Sequence, residues 1–299
     1  MGERHGPNRW ASDLTLVLDA IGGPARFPID VRTLALDYSN QRYPTEAIKR
    51  VDGDNLDGCE GSLVGSSKAQ KTWAILYNQG QSPSRARFTI GHEFGHYLIH
   101  RHDQPGGFRC DEESVSRRNG EGLEKEADQF AAALLMPLND FRKQIAPSDK
   151  PDLDLLSACA ERYGVSLTAA ILRWLEYTDR RSMIVVSREG YALWAKSSPP
   201  AFQSGRFIRT RNETFELPSN SPASNGDFGA ERGSPILHDP GVWFDETVEE
   251  TAVRSDTYDI AISVLHFENR EQRHRWESEE EEADKDMVDH FSRTGYPKR

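Results

Sequence analysis

Apolar residues recur along this chain with two periods, every three to four positions or every second position, and these divide it into helices and strands. Helical spacing marks residues 10–21 and 30–38, the second opening on Asp30 as an N-cap. Residues 61–65 and 71–78 have strand character, and the polar Gly-Ser-Ser-Lys stretch between them predicts a hairpin. Ser82-Pro83 then supplies a cap and a proline at the first helical position, and a helix-compatible run continues to His100. A second run of strong helix formers from Glu124 is stopped by Pro137. Two short helices follow at residues 153–177 around Tyr163-Gly164-Val165-Ser166, with Leu155, Leu156, Leu167, Ile171 and Leu175 as their core. Beyond residue 181 the pattern turns to strands: a hairpin at 182–186 and 191–195, and an alternating stretch at 258–264. The expectation is an α+β fold, with a small antiparallel sheet ahead of a central helix, then a helical pair, then a β-rich region.

Within the central helix lies His92-Glu93-Phe94-Gly95-His96, an H-E-x-x-H stretch. Positions i and i+4 share a helix face, so both imidazoles can reach one ion at about 2.0–2.1 Å. Glu93 beside them can take a proton from water activated by such an ion and return it to a leaving amine. Gly95 is costly in a helix interior and implies a close approach to the backbone there. The residue types point to peptide-bond hydrolysis assisted by a metal, with zinc expected at one per chain.

An open catalytic site needs a third protein ligand. His100 continues the i, i+4 series but lies about 12 Å along the axis from His92, which suits it to an outer or solvent-facing role. His102 stands where a metzincin would place its third His, but Ile99 occupies the position of that motif's glycine and resists the positive-φ turn required. Glu124 is favoured, because Ala127, Ala131, Ala132 and Ala133 let its helix cross the first closely. Asp128, one turn on, could accept the outer N–H of a ligating His. Glu126 points about 200° away from Glu124 around the helix; a solvated role suits it, and it stays open as an alternative ligand. His100, His102, Tyr97 and Arg109 are candidate donors to an oxyanion, with no choice among them.

Two blocks carry a family resemblance: Arg87-Phe88-Thr89-Ile90-Gly91-His92-Glu93-Phe94-Gly95-His96-Tyr97-Leu98-Ile99-His100, and Glu124-Lys125-Glu126-Ala127-Asp128-Gln129-Phe130-Ala131-Ala132-Ala133-Leu134-Leu135-Met136-Pro137. Together they resemble the ImmA/IrrE-type zinc metallopeptidases over about residues 30–180. The resemblance implies a zincin-like core with His92, His96 and Glu124 as ligands, Glu93 as the catalytic base and Asp128 as a partner outside the ligand set. It also implies an intracellular endopeptidase that cleaves a regulatory protein, often a helix-turn-helix repressor encoded nearby, with a place in transcription regulation or stress response.

Composition narrows the alternatives. The formal net charge of −11 argues against a large nucleic-acid footprint, and in the helical pair Asp154, Glu161 and Glu176 outnumber Arg162 and Arg173. A DNA-binding regulator is therefore the weaker reading; a zinc-containing binding module without proteolysis is the stronger alternative. The polar first ten residues, the lack of a membrane-length apolar run, and Cys59, Cys110 and Cys159 without ligand spacing lead to an expected cytoplasmic location and no membrane partner. The domain reading is a peptidase domain at 1–180 and a β-rich region at 181–270, with a linker-like stretch rich in Pro, Ser, Asn and Gly at 217–241. A charged tail at 271–299 follows, its acidic run at 277–282 read as solvated. The strand at 71–78 is a candidate for holding substrate by strand addition, with a plain sheet strand as the equal alternative.

Overall fold

The computed structural model describes residues 5–66, 71–104, 106–109, 120–211, 213–228, 233–255 and 258–268. The acidic run at 277–282 and Cys110 lie outside these residues. The chain is α+β and divides into two compact units. One comprises the chain up to Phe141 together with Ala160–Ser166; the other comprises Arg142–Cys159 and the chain from Leu167 onward.

In the first unit, helix α1 (Pro7–Gly22) buries Ala11 and Leu14. Helix α2 (Val31–Arg42) starts where the Asp30 carboxylate accepts from the Thr33 amide at 3.0 Å, the cap foreseen from sequence. Strands β1 (Ile48–Asp54), β2 (Gly61–Gly65), β3 (Trp73–Asn78) and β4 (Gly107–Arg109) form a sheet in the order β1-β3-β2-β4. The β2–β3 and β2–β4 pairs are antiparallel and β1 runs parallel to β3. The hairpin expected at 61–78 is therefore β2 with β3. As β3 pairs on both sides, with β1 and with β2, its backbone groups are already used and it offers no edge for substrate, which corrects that expectation. β1 escaped sequence reading because only Ile48 and Val51 are buried along Ile48-Lys49-Arg50-Val51-Asp52-Gly53-Asp54, so apolar alternation is too sparse to signal a strand.

Helix α3 (Pro83–His100) has Ser82 as N-cap and Pro83 in its first turn; it packs on the sheet, on α2 and on helix α4 (Gly120–Leu135). Trp73, Ile75, Leu63, Phe94, Tyr97, Phe130 and Leu134 form the buried centre between these layers. Each such side chain contributes about 1.5–3 kcal/mol on leaving water, so the site-bearing helices are held chiefly by apolar burial. The stretch 101–122 contributes β4 and the start of α4, and residues 105 and 110–119 are outside the description. After helix α5 (Leu138–Gln144) the predicted pair appears as α6 (Leu153–Tyr163) and α7 (Leu167–Leu175). The turn between them belongs to the first unit: Tyr163 donates to Asp140 at 2.7 Å, Arg162 to the same carboxylate at 2.8 Å, and the Tyr163 ring stacks on Phe141.

The second unit carries an antiparallel sheet in the order β6-β5-β9-β8-β7: β5 (Ser182–Arg188), β6 (Tyr191–Ser197), β7 (Ile236–His238), β8 (Val248–Ser255) and β9 (Ile260–Phe267). The second predicted hairpin is β5 with β6, and the alternating stretch is β9. The stretch 217–241, read as a linker, holds buried Leu217, Ser221 and His238. Ser221 and His238 reach Glu250, a fully buried carboxylate that also accepts from Trp243 at 2.9 Å and Ser263 at 2.6 Å. Four donors offset the cost of burying that acid and tie the polar stretch to β8 and β9, which composition could not reveal. Among the described residues no single helix is long and apolar enough to cross a membrane.

A second buried acid, Glu246, takes two hydrogen bonds from Arg181 at 2.9 and 2.6 Å and a further one from Arg206. Removing the carboxylate leaves a buried guanidinium without its counter-charge. Glu246→Ala should therefore destabilise the second unit by about 3–5 kcal/mol in urea denaturation; a loss under about 1 kcal/mol would show the pair to be dispensable.

Candidate metal centre

Helices α3 and α4 run in opposite directions and meet at small residues. A Cβ on Gly91 would lie 3.4 Å from that of Ala131, and one on Gly95 would lie 2.9 Å from Phe130 Cδ1 and 3.3 Å from Ala127 Cα. No larger residue fits at Gly95 without displacing α4, so its helix-propensity cost is met by the close crossing that sequence anticipated. The crossing places Glu124 of α4 over the face of α3 that bears His92 and His96.

His92 Nε2 lies 3.0 Å from His96 Nε2 and 3.1 Å from the Glu124 carboxylate; His96 Nε2 is 3.4 Å from the other Glu124 oxygen. One donor atom from each of the three residues falls within a cluster no wider than 4.8 Å, a group that could hold a metal ion. His96 is wholly buried, Glu124 nearly so, and His92 is about one-tenth exposed. Two imidazoles and a carboxylate converging on one point are the donor set of open two-His, one-carboxylate sites, so a divalent cation fits the residues present.

Charge supports the same fit. Burial, more than the nearby positive partners, drives the His96 imidazole down from 6.5 to about 4, so the ring is neutral with a lone pair to give. Burial raises the Glu124 carboxyl, but the hydrogen bonds from His92 and His96 outweigh it and hold the group well below the usual carboxylate range. Outside the cluster, His92 Nδ1 is 2.8 Å from the Asp128 carboxylate. Glu93 is fully buried beside His92, packed where a Cβ on Gly61 of β2 would come within 2.6 Å of its Oε1 and 2.5 Å of Thr89 Cγ2. That glycine carried no signal in the sequence, because its demand comes from another element.

The other candidates are placed as follows. His102 lies in the turn after α3 and is exposed. Glu126 meets His100, its Oε2 2.8 Å from His100 Nε2, rather than standing only in solvent. Tyr97 donates to the Glu46 carbonyl at 3.0 Å, and His100 is engaged by His96 and Glu126, which removes both from the oxyanion candidates. The Arg109 side chain lies outside the description. Phe108 of β4, unnoticed in sequence, stacks on the His96 ring at 4.5 Å between centroids.

Two outcomes follow. Gly95→Ala gains about 0.5–1 kcal/mol of helix propensity but overpacks the crossing at about 1–3 kcal/mol. It should lower stability in urea, and a stabilised variant would show that the helices are not in limiting contact. Secondly, folded His96 stays neutral to about pH 4 while the unfolded imidazole takes a proton below 6.5. His266 of β9, driven by burial from 6.5 to about 3, behaves alike. The folded state then binds fewer protons, so stability is full above 6.5 and falls as pH drops through that value. The melting temperature of metal-free protein should decline between about pH 7 and pH 5; a rise over that window would contradict the assignment.

Residues 41–175 match the family model of the IrrE N-terminal-like domain of peptidase M78. Among solved structures, a Mycobacterium tuberculosis transcriptional regulator is similar, with a TM-score of 0.52 and 11% sequence identity over 87% of this chain and 75% of that one. At that identity the likeness is one of fold. No curated protein sequence matches the chain. The matched stretch contains α3, α4 and every residue of the donor cluster, so the part of the chain that is similar to an IrrE N-terminal-like domain of peptidase M78 is the part that carries the candidate metal centre.

Proposed function

We propose that the protein is a zinc-dependent endopeptidase in which His92, His96 and Glu124 hold one zinc ion, Glu93 is general base and acid, and Asp128 orients His92. The observation that carries this reading is the convergence of the three donor atoms within 4.8 Å on a buried helix crossing. The match of residues 41–175 to a peptidase family model supports the hydrolytic chemistry.

Zinc held there would supply Lewis acidity to a water and to the scissile carbonyl. The residues of the chain do the rest. The Glu93 carboxylate takes a proton as the water oxygen bonds to the carbonyl carbon, and delivers it to the amide nitrogen as the C–N bond breaks. Neutral His96 gives its Nε2 lone pair without first shedding a proton at neutral pH. Asp128 accepts from His92 Nδ1–H and so keeps the Nε2 lone pair of His92 aimed into the cluster.

The substrate we propose is a regulatory protein of the cytoplasm, with a helix-turn-helix repressor as the first class to test, because the two sequence blocks resemble peptidases that act on such proteins. The net charge of −11 disfavours nucleic acid as the main partner.

Metal content by mass spectrometry tests the site. Wild type should hold about one zinc per chain, with strong loss in His96→Ala and Glu124→Ala. Glu93→Gln should keep the metal and abolish cleavage of a trapped substrate. A Glu93→Gln protein that retains full biological function would instead favour a metal-containing binding module.

A further inference from the structure

His96 is bonded through both ring nitrogens. Its Nε2 faces His92 and Glu124, while its Nδ1 lies 3.0 Å from Nδ1 of His100, whose Nε2 is in turn 2.8 Å from the Glu126 carboxylate. His96 and His100 are wholly buried, and Phe108 covers the His96 ring. Both rings are thus oriented by protein groups rather than by bulk water.

Counting hydrogens fixes the direction of these bonds. If His96 Nε2 gives its lone pair to a cation, the hydrogen of that neutral ring is on Nδ1 and must be donated. His100 Nδ1 is then the acceptor and carries no hydrogen, so the hydrogen of a neutral His100 sits on Nε2 and is donated to Glu126. One tautomer of each ring satisfies both contacts, and it is the tautomer of His96 that binds metal. On α4, Glu126 stands two residues from Asp128, which meets the outer nitrogen of His92.

We propose that Glu126 and His100 form a positioning relay that holds His96 in its metal-binding tautomer and orientation, as a counterpart to Asp128 on His92. The inference rests on the reading of His92, His96 and Glu124 as metal ligands. It gives His100, whose spacing already suited an outer role, and Glu126 a shared function that nothing in the sequence linked. His100 is too far along the helix to be a ligand with His92, yet it is one turn from His96, where it can serve as that ligand's acceptor.

The test is zinc affinity by chelator competition, with the visible spectrum of the cobalt-substituted protein as a reporter of ligand geometry. His100→Leu preserves apolar bulk but removes the acceptor; it should weaken zinc binding about 10–100-fold and alter the cobalt bands. His100→Asn fills the space less well but restores an acceptor oxygen at the δ position, and it should bind zinc more tightly than His100→Leu. A purely packing role predicts the reverse order. Glu126 is 44% exposed at its side chain, so Glu126→Leu should leave the fold intact and still cost zinc affinity, at about tenfold. That variant carries the test if His100→Leu fails to fold. Wild type that binds zinc, with His100→Leu or Glu126→Leu binding it equally well, or with the Leu and Asn order reversed, overturns the relay alone. Wild type that binds no zinc overturns the metal reading and the relay with it.

Discussion

The close crossing of α3 and α4 is the contact on which the site depends. Glu124 is 32 residues from His92 in sequence, and it comes within 3.1 Å only because Gly95 and Ala127 let the two backbones approach. A helix pair with ordinary side chains at the crossing stands about 8–10 Å apart, and each added methyl lifts the carboxylate from the imidazoles. Apolar burial of Phe94, Phe130, Leu134 and Leu135 at the same interface provides the energy that holds a cluster of polar groups in place. The polar site is therefore supported by an apolar one.

Burial has a second effect. Water is excluded from His96, so the imidazole stays neutral; Glu124 stays charged in spite of its burial, because the contacts with His92 and His96 outweigh the lost solvation. A neutral imidazole beside a charged carboxylate is a donor pair that suits a divalent cation. The outer nitrogens are bonded by Asp128 and His100, so the rings need little reorganisation to bind. Gly61 of β2 makes room for Glu93: the sheet yields one side chain so that this carboxylate can be packed against it.

The second unit solves a similar problem for a different end. Glu250 and Glu246 are buried acids, each compensated by several donors drawn from distant parts of the chain. Their donors come in part from segments rich in Pro, Ser and Gly that have little apolar surface of their own. Hydrogen bonding to a buried carboxylate fixes such segments where apolar burial cannot.

Local signals in the sequence determined the parts of the protein whose physics is local. The caps at Asp30 and Ser82, the hairpins β2–β3 and β5–β6, the helical pair around Gly164, and the i, i+4 spacing of His92 and His96 all follow from periodicity and turn chemistry within a few residues. The approach of Glu124 to His92 and His96 was legible too, because alanines on one helix and a glycine on the other signal a close crossing before either is seen. Strand β1, the interior place of β3, the bonding of Glu126 to His100, the stacking of Phe108 and the demand on Gly61 were not legible. Each of these is set by a partner far away in sequence. Strand pairing, and what meets the outer nitrogen of a ligand, are pairwise properties that exist only once the chain has folded.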